Sequence, residues 1–439
     1  MKLPSPRIVV VDDDLDDIRA IVDGLAHLGT TAFGLHYSME RSDQPQFPCL
    51  RILFLDLHLM GSGGNTEQQV KNTLGVLANL LTPDNGPYAI VVWSGHVGEG
   101  LDRFQLEIEQ RLPKEGRPLP LKIIPLDKVA FIRPSEGERR VDKPDELKRA
   151  IMDRIQDCPQ LAALLSWEED VAGAADDAIR QVFQIARQTA SAGQSQSLAA
   201  EVNRILAEIA VAAIGFHNAE ADAFRGVNEV LVQVVADRLQ RRSASPETVQ
   251  LWQQAVTDFK KKSDLRDEDA SLLNRFLHVD VNQVQPWERG SITSLEVLPE
   301  EKFRRLWSET RGDLLQEFCL PSEAQVEWVM LQVQPACDQA QRNRGLLPYM
   351  LGLRVNQLSK SKRDEIRRKE CLWLSPILGE GAENFFLVFH LRFVTGLSRK
   401  EEEFPQLACR YRLREQILAE ISHDLHTHGG RPGIIRFSR

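Results

Sequence analysis

The chain has 439 residues, 42% of them apolar and 27% charged, with a formal net charge of −9. These are ordinary globular values for two or three domains, and the acidic balance argues against broad nucleic-acid affinity. No apolar run is long enough to span a bilayer, and the amino terminus lacks a signal peptide's hydrophobic region. Six cysteines, at 49, 158, 319, 337, 371 and 409, never form a Cys-x-x-Cys pair. A cytoplasmic chain with reduced thiols is expected, with neither a membrane nor a disulfide framework.

In chain order, the first signal is an apolar run from Arg7 to Val11 followed at once by Asp12, Asp13 and Asp14. The second is Arg51 to Leu55, followed by Asp56. Such runs predict buried parallel strands, and carboxylates at their carboxyl ends converge in the crevice where open α/β sheets bind ligands. Carboxylates crowded together repel, and a hard divalent cation relieves that repulsion. Ala89 to His96 reads as a further short strand, with the hydroxyl of Ser94 toward its carboxyl end, and Leu121 to Lys128 reads as a last strand ending in the cation of Lys128. The acids Asp14, Asp16 and Asp17 read as solvated helix-start residues that favour the macrodipole. Gly61-Ser62-Gly63-Gly64 reads as a turn beside Asp56, since it lacks the lysine and spacing of a P-loop.

With these residues in place, the stretch from about Arg7 to Gln156 resembles the receiver domain of two-component response regulators. The matching residues are Asp12, Asp13, Asp56, Ser94 and Lys128, each at a strand end. The resemblance implies a flavodoxin-like doubly wound parallel sheet over residues 1–158, with Asp56 as phosphoacceptor. It also implies Mg2+ held by Asp13, Asp56 and the His58 backbone carbonyl, with Asp12 acting from the outer shell. Lys128 and the Ser94 hydroxyl would then each meet a phosphoryl oxygen delivered by a histidine kinase or phosphotransfer protein. Two positions depart from the family pattern: Leu126 stands where an aromatic residue is common and Val129 where a proline is common. Lys143, in Lys143-Pro144, is the competing lysine, and Lys128 is preferred because its own strand places it at the sheet edge. The segments from Thr66 to Pro87 and from Val97 to Pro120 exceed a minimal receiver, which predicts a remodelled partner surface.

Residues 159–277 show apolar positions at helical spacing, as in Val202 to Ile209, and predict a helical region. Ser191 to Ser197 and Arg241 to Glu247 read as loops, with Ser245 capping a helix that opens at Pro246. A two-helix dimerisation element is the alternative, so a homodimer stays open. Residues 278–439 predict an α+β output domain, with strands over Gln325 to Gln334 and Asn384 to Thr395 and a helix over Arg410 to His426. A zinc site drawing on Cys337, Asp338, His423, His426 and His428 would have suitable ligand types but matches no zinc spacing. The basic run from Lys360 to Lys369 is interleaved with acids and reads as a solvated face.

The layout, a receiver with a long extension ending in His-x-His-Gly-Gly-Arg-Pro-Gly, also loosely resembles receiver proteins of bacterial antiphage kinase-regulator systems such as Detocs. That resemblance implies a phosphate sink. The expected function is that of a response regulator whose output is a protein effector contact, with nucleic acid and catalysis beyond phosphoryl transfer to Asp56 not expected. A pseudo-receiver scaffold and a hydrolase around Cys337, Asp338 and His423 are the alternatives.

Overall fold

A computed structural model describes residues 5–38, 45–59, 66–95, 100–135, 138–191, 197–257, 265–282, 284–321, 323–341, 345–380, 383–398 and 407–429. The Gly61–Gly64 turn and the end of the chain after Gly429 lie outside them. The chain divides into two compact units. The first comprises residues 1–177 and 235–259, the second residues 178–234 and 260–439.

The first unit begins with β1 (Ile8–Asp12), α1 (Leu15–His27), β2 (Phe33–His36), β3 (Ile52–Leu55), α2 (Thr66–Leu80), β4 (Ala89–Ser94), α3 (Leu101–Lys114) and β5 (Lys122–Asp127). The five strands form one parallel sheet in the order β2-β1-β3-β4-β5, the flavodoxin-like arrangement that the receiver resemblance implies. Alternate residues of each run feed opposite faces, which is why the runs are apolar throughout. Val9, Val11, Leu53, Leu55, Ile90 and Val92 join Leu74, Leu77, Phe104 and Ile108 of α2 and α3 in one core. Val10, Phe54, Val91 and Trp93 join Ile18, Ile21 and Leu25 of α1 in the other.

After β5 the chain makes a short helix, α4 (Lys128–Phe131), and a two-stranded hairpin, β6 (Ile132–Ser135) and β7 (Glu138–Val141), before α5 (Pro144–Gln156). The hairpin is absent from the reading of the sequence. Helix α5 adds Leu147, Ile151 and Ile155 to the second core, and Leu161 from α6 (Pro159–Ser191) joins them. Glu168 of α6 fastens that helix to the sheet by pairing with Arg7 and, at 2.7 Å, with Arg51.

The helical region continues with α7 (Leu198–Ile214), α8 (Phe216–Ala221), α9 (Ala223–Arg241) and α10 (Pro246–Ala255). Ser197 and Ser245 cap α7 and α10 by accepting the backbone N–H groups of Ala200 and Thr248. Where α7 and α9 cross, Gly226 meets Ala210, whose Cα would lie 2.8 Å from any added Cβ.

The remainder comprises α11 (Asp267–His278), β8 (Val279–Asp280), β9 (Ser291–Ser294), α12 (Glu300–Trp307), α13 (Arg311–Glu317), β10 (Glu327–Gln332), α14 (Ala336–Gln341), β11 (Leu347–Val355), α15 (Lys360–Arg367), β12 (Leu372–Leu374), β13 (Leu378–Glu380), β14 (Glu383–Leu397), β15 (Cys409–Leu413) and α16 (Glu415–Gly429). Its sheet runs β12-β14-β11-β10-β9-β15-β8, with β13 paired to β14, and its pairings are antiparallel. Both faces are covered. Trp328, Met330, Leu351 and Leu353 pack with Phe303, Trp307, Leu314 and Ile366 of α12, α13 and α15. Val329, Leu331, Leu387 and Phe389 pack with Ile417, Leu418 and Ile421 of α16. The strands predicted over Gln325 to Gln334 and Asn384 to Thr395 are β10 and β14. The helix predicted from Arg410 to His426 needs correction: Arg410 to Leu413 belong to β15, whose alternation Cys409, Tyr411, Leu413 points inward, and the helix starts only at Glu415.

Candidate phosphoacceptor site

The register of the parallel sheet builds the site. Val11 lies beside Leu55 and Leu55 beside Val92, so the next residues along β1 and β3, Asp12 and Asp56, emerge side by side at the carboxyl edge. The Asp56 N–H donates to the Val11 carbonyl at 3.2 Å, which fixes that alignment. Ser94 ends β4 opposite Asp127 of β5, which delivers Lys128 to the same edge. Asp14 then stops β1 and starts α1, its carboxylate accepting the Asp16 N–H at 2.9 Å.

The carboxylates of Asp12, Asp13 and Asp56 each place an oxygen within 4.8 Å of the others. Asp12 and Asp56 are buried, and Asp13 is half-buried. The Lys128 ammonium lies 2.7 Å from Asp12 and 3.0 Å from Asp56. It also lies 2.9 Å from Asp17, so its three protons are matched by three carboxylates. Burial opposes the charge on Lys128, yet Asp56 and Asp12 more than offset this and hold the ammonium well above its usual range. Burial pushes Asp12 up to about 7, against the opposing pull of Lys128, and repulsion from Asp56 adds to the rise. Positive charge is therefore short at this edge. An all-oxygen set short of positive charge suits a hard divalent cation, so the acidic cluster is able to bind a metal.

His58 takes part through its ring as well as its backbone. Its N–H donates to Asp56 Oδ1 at 3.2 Å, and its Nδ1 lies 2.9 Å from the Ser94 hydroxyl, which is itself buried. The receiver resemblance implies a role for the His58 carbonyl alone. Trp93, the residue before Ser94, stacks on Phe131 at 5.9 Å and meets Phe54 edge-on. Leu126 is buried in the core and Val129 is exposed.

One expectation is overturned. Asp17 is not a solvated helix-start acid; it is 3% exposed, paired with Lys128 and, at 2.6 Å, with Arg139 of β7. Asp14 and Asp16 are exposed or half-buried, as helix-start acids should be. Nothing local to Asp17 signals its burial, because both cations come from more than a hundred residues away. Lys143 stands at the start of α5, exposed, and pairs with Glu146 at 2.9 Å, away from the cluster.

Among the described residues, the acidic cluster is the one group of three or more ligand-type side chains that could hold a metal. His426 instead bonds the Ser422 carbonyl, and Nε2 of His428 meets Arg392. The side chain of Cys337 lies outside the description. Among the described residues no helix is long and apolar enough to cross a membrane.

No protein-family model and no curated protein matches the chain. Among solved structures it is similar to the response regulator StyR, 14% identical over 57% of this chain and 100% of that one, with a TM-score of 0.18. It is also similar to full-length FixJ from B. japonicum, 17% identical over 58% of this chain and 98% of that one, with a TM-score of 0.19. At these scores the alignments add nothing to the strand order and the acidic edge, which are what fit the first unit to a receiver domain.

Proposed function

We propose that the chain is a response regulator whose Asp56 accepts a phosphoryl group from the phosphohistidine of a histidine kinase or phosphotransfer protein. The observation that carries this reading is the convergence of Asp12, Asp13, Asp56 and Lys128 at one strand edge, with Ser94 on the neighbouring strand. Asp12, Asp13, Asp56 and the His58 carbonyl would hold Mg2+. The ion would neutralise the carboxylates and draw charge off the phosphoryl oxygens. An Asp56 oxygen forms the new O–P bond as the donor's P–N bond breaks, and the departing imidazole takes up a proton. Lys128 gives up its contact with Asp56 to meet a phosphoryl oxygen, and Ser94 exchanges His58 for another.

The second unit supplies the output as a surface for a protein effector. It packs cores on both faces of its sheet and a smaller one about α7 and α8, and among its described residues Phe216, Phe224, Leu272 and Phe276 stay exposed.

Incubation of the full chain with Mg2+ and a small-molecule acyl phosphate tests the reading. The wild type should gain one acid-stable, base-labile phosphoryl group, and Asp56→Asn, nearly isosteric but not nucleophilic, should gain none. Equal uptake by Asp56→Asn, or no uptake by the wild type from either an acyl phosphate or a kinase, would overturn it.

A further inference from the structure

The phosphoacceptor reading leaves Asp17, Arg139 and the β6–β7 hairpin without a role, yet they are joined to the site by an unbroken line of charge. One oxygen of Asp17 meets Lys128 at 2.9 Å and the other meets Arg139 at 2.6 Å. Arg139 also reaches Asp14 at 2.9 Å. Asp17 is almost wholly buried, and a buried carboxylate must be matched by cations. It has two of these, and they belong to opposite ends of the line.

The hairpin touches the rest of the first unit independently at two other places. Val141 of β7 covers Gly24 of α1, where an added Cβ would come within 3.0 Å of the valine, so bare backbone is what lets the hairpin lie there. At its start, Phe131 stacks on Trp93, the neighbour of Ser94. The Asp142 N–H returns to the Phe131 carbonyl at 3.0 Å and closes the base.

We infer that Asp17 and Arg139 are positioning residues that set where the Lys128 ammonium sits, and that the β6–β7 hairpin reports occupancy of the site. This rests on the phosphoacceptor reading of Asp56. Lys128 shares its three protons among Asp12, Asp17 and Asp56. Once Asp56 carries a phosphoryl group, the share it held goes to a phosphoryl oxygen. Lys128 then moves relative to Asp17, and Asp17 relays the change to its other partner, Arg139. The hairpin is tied down by that arginine, so the strength of its tie follows the state of Asp56.

The test is amide hydrogen exchange of peptides covering residues 132–141 in the full chain, with and without Mg2+ and beryllofluoride as phosphoryl mimic. In the wild type, loading should change hairpin exchange several-fold. Arg139→Gln should still load, with affinity within about tenfold of wild type, but its hairpin should exchange at one fast rate, loaded or free. Asp17→Asn should give the same uncoupled hairpin, and the double variant should go no further than either single one. Arg139→Lys keeps the charge and should recover part of the response, which separates coupling from a failure to fold. Arg133→Gln removes a like charge from the same hairpin, where Arg133 faces exposed Asp142 at 3.6 Å, and should respond as wild type. A wild-type response in Arg139→Gln, or a silent hairpin in wild type that demonstrably binds the mimic, would overturn this inference alone. A wild type that binds no mimic would overturn the phosphoacceptor reading as well.

Discussion

Lys128 carries more of the site than a phosphate-contacting lysine needs to. It pairs with three buried carboxylates at once, and taking away one member of a buried ion network costs roughly 3–5 kcal/mol, because the partners remain desolvated and unpaired. Lys128→Met should therefore lower the stability of the first unit by about that amount without Mg2+, as measured by denaturant unfolding. Added Mg2+ should recover more stability in the variant than in wild type, since it replaces missing positive charge. Equal Mg2+ responses would mean that the carboxylates are not competing for the same charge.

A second residue gives a pH test in the other unit. His390 of β14 is fully buried; its Nδ1 accepts the Arg392 N–H at 3.3 Å, and its ring lies 4.4 Å from Phe393. Burial pulls its pKa down to about 4, and the charges of Arg392 and His428 add to the fall. Glu317 lies 3.8 Å from Nε2, but it is exposed and too distant for a hydrogen bond to hold the proton on. A depressed folded-state pKa gives stability that is present above pH 6.5 and lost as the pH falls toward 4. The loss is on the order of 2–3 kcal/mol from this group. His390→Gln should show a shallower acid limb than wild type in urea unfolding between pH 6.5 and 4. Parallel limbs would contradict a neutral, buried imidazole.

Among the elements, strands with strong local signals were legible in the sequence and those without were not. β1, β3, β4 and, after Lys122, β5 are apolar runs that lead straight into a polar residue, so both their existence and the side chains at their ends are legible. β15 was hidden because Arg410, Arg412 and Arg414 alternate with apolar residues just before a helical pattern, and the two periods merge over so short a span. The β6–β7 hairpin was missed for a different reason: Pro134 and a run of charges depress any strand signal, and it is held by α1 and Arg139, not by its own pattern. At Gly352 in β11, an added Cβ would sit 2.3 Å from the Phe389 ring and 2.9 Å from the Val388 carbonyl. The register shift between Met350 and Gly352 lies at the same place. Gly352→Ala should destabilise the second unit by about 1–3 kcal/mol through overpacking, read by thermal unfolding. An unchanged melting temperature would mean that the strand can move aside.

For the molecule as a whole, the sequence identified the residues that meet at the acidic edge, because chemistry at strand ends is a local signal. It did not identify the charges that steady them, Asp17 and Arg139, because those partners meet only through the fold. The division of labour follows the same line. The first unit offers an acidic edge and a lysine suited to a phosphoryl group, and the second offers two filled cores around an antiparallel sheet. If Asp56 is the nucleophile, the acyl phosphate can be trapped on it. After phosphorylation with Mg2+ present, borohydride reduces an aspartyl phosphate to homoserine, which peptide mass spectrometry locates by residue. Homoserine is expected at position 56 alone, and not in Asp56→Asn. Homoserine at Asp12 or Asp13, or at no position in a protein that has demonstrably taken up phosphate, would contradict that role for Asp56.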